Sequence, residues 1–117
     1  MAYGDPIWEV LFFRTVNGRE PVREWIVDHL RPERKLIGDA IRDVQLSQQW
    51  SAPLVKYLNE GLYEIRIDLF HTTARVLFFK DGKDLILVHA FTKKTQKTPK
   101  AELDLARKRK ARYEREN

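Results

Sequence analysis

The sequence predicts an α+β domain in which an antiparallel β-sheet meander of about four strands packs against an N-terminal helical hairpin, with a basic helix at the C-terminal end. Apolar residues recur every three or four positions between residues 21 and 44, which is typical of amphipathic helices. Residues 62–91 instead alternate or run apolar, which is typical of strands. The charge is also uneven: residues 93–117 hold 10 basic and 4 acidic side chains, and residues 1–92 hold 12 and 13. We interpret residues 1–117 as one domain.

The first half of the chain is predicted to contain one strand and two helices. Residues 7–13 form a short apolar run that ends before the turn residues Asn17 and Gly18, and we interpret it as a strand. Pro21 suits the first turn of a helix whose apolar positions continue to residue 30. Residues 36–44 repeat the pattern, so two helices should form a hairpin with apolar stripes facing a common surface.

The second half is predicted to contain three strands and a helix. Residues 51–61 lack periodicity and are interpreted as a loop. Residues 62–69 alternate as a half-buried strand, and Asp81-Gly82, typical of a type I′ turn, should join strands at residues 73–80 and 83–91. Thr98 and Pro99 should cap a last helix of about 15 residues.

Composition excludes several classes of function. The chain has no Cys, which excludes a disulfide framework, a thiol nucleophile and a cysteine zinc site, and suits a reducing cytoplasm. No apolar run approaches the roughly 20 residues that cross a bilayer, and the first residues do not resemble a signal peptide. The three His are not spaced as metal ligands. We therefore expect a soluble, cytoplasmic protein without a metal or other cofactor.

Strand pairing predicts an unusual pair of cations. If the strands on either side of residues 69–72 pair symmetrically, Arg66 lies directly opposite Arg75. Like charges opposite each other are destabilising, so an anion, or Glu64 or Asp68, should lie between them. A bound phosphate and simple neutralisation by the two carboxylates are both open at this point.

A basic segment follows the last predicted strand. Three Lys precede the final helix among hydroxyl and amide side chains in residues 92–100. Lysine charges and unpaired N–H groups at a helix start favour phosphate. The same composition also fits an ordinary solvated connector. We take Lys56, Lys97 and Lys100 as candidate residues for binding the phosphate backbone of a nucleic acid, which is RNA if the resemblance described next holds.

Three segments together resemble a known family. They are Gly61-Leu-Tyr-Glu-Ile-Arg-Ile-Asp68, Ala74-Arg-Val-Leu-Phe-Phe79 and Val88-His-Ala-Phe-Thr-Lys-Lys-Thr-Gln-Lys-Thr-Pro99, the last followed by Glu102 and Ala106. In this combination the chain resembles the phage-derived branch of the RelE/HigB toxin superfamily over about residues 7–110.

The resemblance implies a toxin of a type II toxin-antitoxin pair that acts as a ribosome-dependent, metal-independent mRNA endonuclease. It implies two partners: mRNA on the ribosome, and a cognate antitoxin that is often a helix-turn-helix repressor. In such enzymes the RNA 2′-hydroxyl attacks the adjacent phosphate, which leaves a 2′,3′-cyclic phosphate and a 5′-hydroxyl.

Site residues also follow from the resemblance. Arg66 and Arg75 match basic strand positions of the RelE-type site, and Lys93 or Lys94 matches the basic position after the last strand. Arg75 would hold the scissile phosphate, with Arg66 assisting. Glu64 stands where RelE has a basic residue, so the general base is open: Glu64, a Lys of depressed pKa, or charge stabilisation alone.

Two other functions compete with the nuclease. A ParE-like toxin shares the fold but poisons gyrase through protein contacts and does not need the strand arginines. A non-enzymatic basic domain could bind nucleic acid or a partner protein through residues 93–117 alone. The combination of Arg66, Arg75 and Lys94 favours the nuclease.

Overall fold

The computed structural model describes residues 7–93 and 97–117, and in that part of the chain it has five strands and three helices. In chain order they are β1 (Glu9–Phe12), α1 (Pro21–Val27), α2 (Arg31–Gln45), β2 (Val55–Tyr57), β3 (Leu62–Asp68), β4 (Thr73–Asp81), β5 (Asp84–Lys93) and α3 (Lys100–Glu116).

All five strands form one sheet in the order β1-β5-β4-β3-β2. Strands β3 to β5 form the predicted antiparallel meander, and β2 extends it by one antiparallel strand. The predicted fold class, an α+β domain with an antiparallel meander, a helical hairpin and a C-terminal helix, is confirmed, and the sheet differs from the prediction in two details. Strand β1 pairs with β5 in parallel, which is possible because α1 and α2 separate it from the meander. Strand β2 lies inside the predicted loop; two of its three residues are exposed, so no alternation marks it.

The helices cover both faces of the sheet. One core cluster joins Val22 of α1 and Ile37 of α2 to Val76 and Phe78 of β4. Alternate residues of β4 point to the other face, where Leu77 and Phe79 pack in a second cluster that includes Ala106 of α3. The predicted helical hairpin therefore covers a common surface, although α1 ends at Val27 and not near residue 30.

The two predicted hairpins are present. Strands β3 and β4 pair symmetrically around residues 69–72 and place Arg66 opposite Arg75. A register shift at Leu77/Phe78 falls in the β4–β5 pairing and leaves β3–β4 regular. The second hairpin pairs Asp81 with Asp84, so its two loop residues are Gly82 and Lys83 and not the predicted Asp81-Gly82.

Two glycines offer opposite predictions for stability. Gly82 has φ +61°, whereas Gly38 lies inside α2, and a Cβ at either position would meet no atom within 4 Å. We expect Gly82→Ala to lower the free energy of unfolding by about 1 kcal/mol, because a Cβ disfavours positive φ. We expect Gly38→Ala to raise it by up to about 1 kcal/mol, because alanine favours helix. Urea denaturation of both variants checks this, and a change of the same sign in the two would contradict it.

Candidate functional site

The register gathers cationic side chains on the sheet face that α3 partly covers. Directly paired residues of neighbouring antiparallel strands project from the same face. The pairings set Lys56 beside Glu64, Arg66 beside Arg75, and Lys93 beside Thr73. We call Lys56, Arg66, Arg75 and Lys93 the cationic cluster.

A buried ion pair lies at the centre of this cluster. Arg75 Nη1 donates a hydrogen bond of 2.6 Å to Glu64 Oε1, and the two residues are 2% and 1% exposed. The Thr98 hydroxyl donates to the other oxygen, Glu64 Oε2. Of the two arrangements left open for the paired arginines, the internal one therefore applies to Arg75: its anion is the Glu64 carboxylate.

Arg66 occupies a more accessible position. Its side chain is 34% exposed, and Nε lies 3.8 Å from Asp68 Oδ1, a loose ion pair at the surface. Its guanidinium can therefore reach a ligand from solvent, which the buried Arg75 cannot do in this arrangement.

Lys93 is the residue of the cluster most clearly prepared for an anion. It is the last residue of β5, so it lies within the strand and not after the strand as the resemblance implied. Its Nζ is buried and has no hydrogen-bond partner among the residues that the structure describes. Burial lowers the pKa of the Lys93 ammonium below its ordinary 10.5, and the charges of Arg75, Lys56 and Arg66 lower it further, against an opposing effect of Glu64. An anion at Nζ would compensate that charge.

The other predicted residues are less engaged. Lys56 is exposed on β2, not in a loop, and Lys97 and Lys100 are exposed where α3 begins. Lys94 lies outside the described residues. Helix α3 begins at Lys100 with Pro99 as its N-cap, one residue later than predicted, and the Thr98 hydroxyl contacts Glu64 instead of capping the helix.

Sequence reasoning missed the contacts that hold α3 on this face. His89 Nε2 lies 2.5 Å from Glu102 Oε1, and Arg109 Nη1 donates to the Val88 carbonyl at 2.8 Å. Burial lowers the pKa of Arg109. These partners are 13 or more residues apart in the chain, so no local pattern signals them. His89 thus has a structural contact.

A family model described as phage-derived protein Gp49-like (DUF891) matches residues 24–111, which include the whole cationic cluster. The chain belongs to the Gp49-like family. This is a phage-derived family of the RelE/HigB-like toxin type, so the coarse resemblance is confirmed. No curated protein matches this Gp49-like chain.

The described part of the Gp49-like protein contains neither a membrane-spanning helix nor a metal-binding cluster of side chains. No helix in residues 7–93 and 97–117 is long and apolar enough to cross a membrane. Across the same residues, no group of three or more His, Cys, Asp or Glu side chains is arranged to hold a metal ion.

Proposed function

We propose that this protein is the toxin of a type II toxin-antitoxin system and acts as a ribosome-dependent, metal-independent mRNA endonuclease in the cytoplasm. A cognate antitoxin, of the helix-turn-helix kind, holds it inactive. Membership of a toxin-type family supports the first part. The observation that carries the nuclease is Lys93, a buried ammonium without a described hydrogen-bond partner inside a cluster of cations.

The phosphate is held by Lys93 and Arg66 in this proposal. Their charges stabilise the extra negative charge that develops on the phosphate oxygens as the RNA 2′-oxygen bonds to phosphorus. The bond from phosphorus to the 5′-oxygen then breaks, which leaves a 2′,3′-cyclic phosphate on one fragment and a 5′-hydroxyl on the other.

Proton transfers complete the reaction. The 2′-hydroxyl proton passes to water, and the Lys93 ammonium donates a proton to the leaving 5′-oxygen. An ammonium of lowered pKa is the stronger acid, which suits Lys93 for this step.

Glu64 and Arg75 have a positioning role in this proposal. Both Glu64 oxygens already accept hydrogen bonds, from Arg75 and from Thr98, so we do not assign it as general base. The pair instead fixes β3, β4 and the start of α3 around Lys93. Arg75 was expected to hold the phosphate, but it is buried against Glu64, so we assign the phosphate contact to Arg66 instead.

Inducible expression in a bacterium tests the function, with growth recorded and mRNA 5′ ends mapped. We expect growth arrest with new 5′ ends inside translated codons. Arg66→Gln should reduce these ends about ten- to a hundredfold, because one charged donor to the phosphate is lost. Coexpression of the antitoxin should restore growth.

Lys83→Gln is the matched control, since Lys83 is exposed in the loop at the opposite end of β4 and the variant makes the same charge change. It should behave like wild type. Growth arrest without new 5′ ends would contradict the proposed nuclease activity and favour a ParE-like action on gyrase. Harmless expression would favour a non-enzymatic binding domain.

A further inference from the structure

A cleft of about 590 Å³ adjoins the cationic cluster at the β2 edge of the sheet. One side is formed by the segment between α2 and β2, from Ser47 to Leu54, and the other by Arg66 and Asp68 of β3. Its size lies within the range of small-molecule sites in proteins. Arg66 belongs to both features, because this residue lines the cleft and also lies opposite Arg75 in the cluster.

The walls of the cleft are held by contacts within the fold. Trp50 Nε1 donates to the Val44 carbonyl at 3.0 Å, and the Trp50 ring packs 5.3 Å from the rings of Tyr63 and Phe78. The Leu54 carbonyl accepts from the Arg66 N–H at 2.8 Å, which ties the segment to β3. A cleft with fixed walls loses little conformational freedom when a ligand enters.

The lining combines a flat apolar surface with polar edges. Trp50 and Pro53 supply the apolar part, and Gln49, Ser51 and Asp68 supply an amide, a hydroxyl and a carboxylate. Gln49, Ser51 and Asp68 are exposed and so can contact a ligand from solvent. An apolar surface edged with donors and acceptors is what a nucleobase needs, since proteins read unpaired RNA bases by packing on their faces and hydrogen bonding to their edges.

We propose that this cleft binds the nucleobase next to the phosphate held by Arg66 and Lys93, and so determines the sequence context of cleavage. The proposal rests on the nuclease function proposed above. Phosphate contacts position RNA without reading its sequence, so a nuclease needs a separate surface for base selection.

The chemistry of the cleft indicates which bases it selects. The Asp68 carboxylate only accepts hydrogen bonds, whereas the Gln49 amide both donates and accepts. Adenine, cytosine and guanine carry an exocyclic amino group with two N–H donors, whereas uracil presents a single ring N3–H between two carbonyl acceptors. A base with an amino group is therefore favoured over uracil at one fixed position beside the cut.

The experiment compares cleavage contexts across the transcriptome after induction of the full chain. We expect wild type to prefer an amino-bearing base over uracil at one position relative to the new 5′ ends. Gln49→Ala and Asp68→Ala should each reduce that preference about tenfold or more, the effect of one lost hydrogen bond. Both residues are exposed, so neither change should impair folding.

Gln48→Ala is the matched control. Gln48 is the exposed neighbour of Gln49 and is not among the residues that line the cleft, so this variant should keep the wild-type preference. Cleavage by wild type without a base preference, or with a preference that both cleft variants retain, would contradict the base-binding role of the cleft. The proposed nuclease function would not be affected by that result. Absence of cleavage by wild type would overturn both proposals.

Discussion

Arg75→Met is expected to lower the free energy of unfolding by about 3–5 kcal/mol, enough to unfold much of a small domain. The reason is the Glu64 carboxylate, which is 1% exposed and would keep only the Thr98 hydroxyl as a hydrogen-bond donor among the contacts described above. Methionine fills similar space, so the loss comes from the uncompensated charge and not from a cavity. Urea denaturation followed by circular dichroism measures it.

The double variant Glu64→Met with Arg75→Met separates charge from packing. Replacing both partners of a buried ion pair by apolar residues is often close to neutral, so the double variant should regain most of the stability lost in Arg75→Met. A double variant as unstable as Arg75→Met would show that the loss of stability does not come from the uncompensated Glu64 charge. For the same reason, lost toxicity in Arg75→Ala would reflect unfolding, and Arg66 is the better test of phosphate binding.

Lys93→Met is expected to reduce mRNA cleavage at least a hundredfold and, at neutral pH, to raise the free energy of unfolding. Cleavage falls because both a phosphate contact and the proposed acid are lost. Stability rises because a buried ammonium without a described partner is removed. The measurements are 5′-end mapping after induction and urea denaturation of the two purified proteins, with Lys83→Met as the control of equal charge change.

The pH dependence of that stability difference has a defined sign. The Lys93 pKa is lower in the folded protein than its ordinary 10.5, so between the two values the unfolded chain binds more protons. The stability of wild type relative to Lys93→Met should therefore increase as the pH rises through the interval below 10.5. If the stability of wild type relative to Lys93→Met stayed constant or fell in that interval, the ammonium would not be destabilised by folding.

Local pattern was sufficient to predict part of the site. The symmetric β3–β4 hairpin placed Arg66 opposite Arg75, because a short loop fixes strand register. Pattern could not decide what neutralises them, since the burial of Glu64 depends on α3 covering a face that the strand alternation marks as polar. Thr98 as a partner of Glu64 depends on the same packing.

Other parts of the fold were beyond local pattern for related reasons. Strand β2 has three residues, too few for a periodic signal, and its pairing with β3 defines it. The parallel pairing of β1 with β5 joins residues far apart in the chain, so no turn sequence between the two strands indicates it. The cleft depends on how the 47–54 segment returns to the sheet edge, which neither composition nor spacing determines.

The β1–β5 pairing also has a consequence for the order of folding. Glu9 pairs with Asp84, a separation of 84 − 9 = 75 residues, whereas successive strands of the β2–β5 meander are joined by short loops. Closing a long loop is slower than closing a hairpin, so we expect the meander to assemble first and β1 to dock late. The cationic cluster lies wholly within the meander, and it therefore forms before the β5 edge is covered. Until β1 docks, that edge presents unpaired backbone groups on a chain whose cationic cluster is already in place.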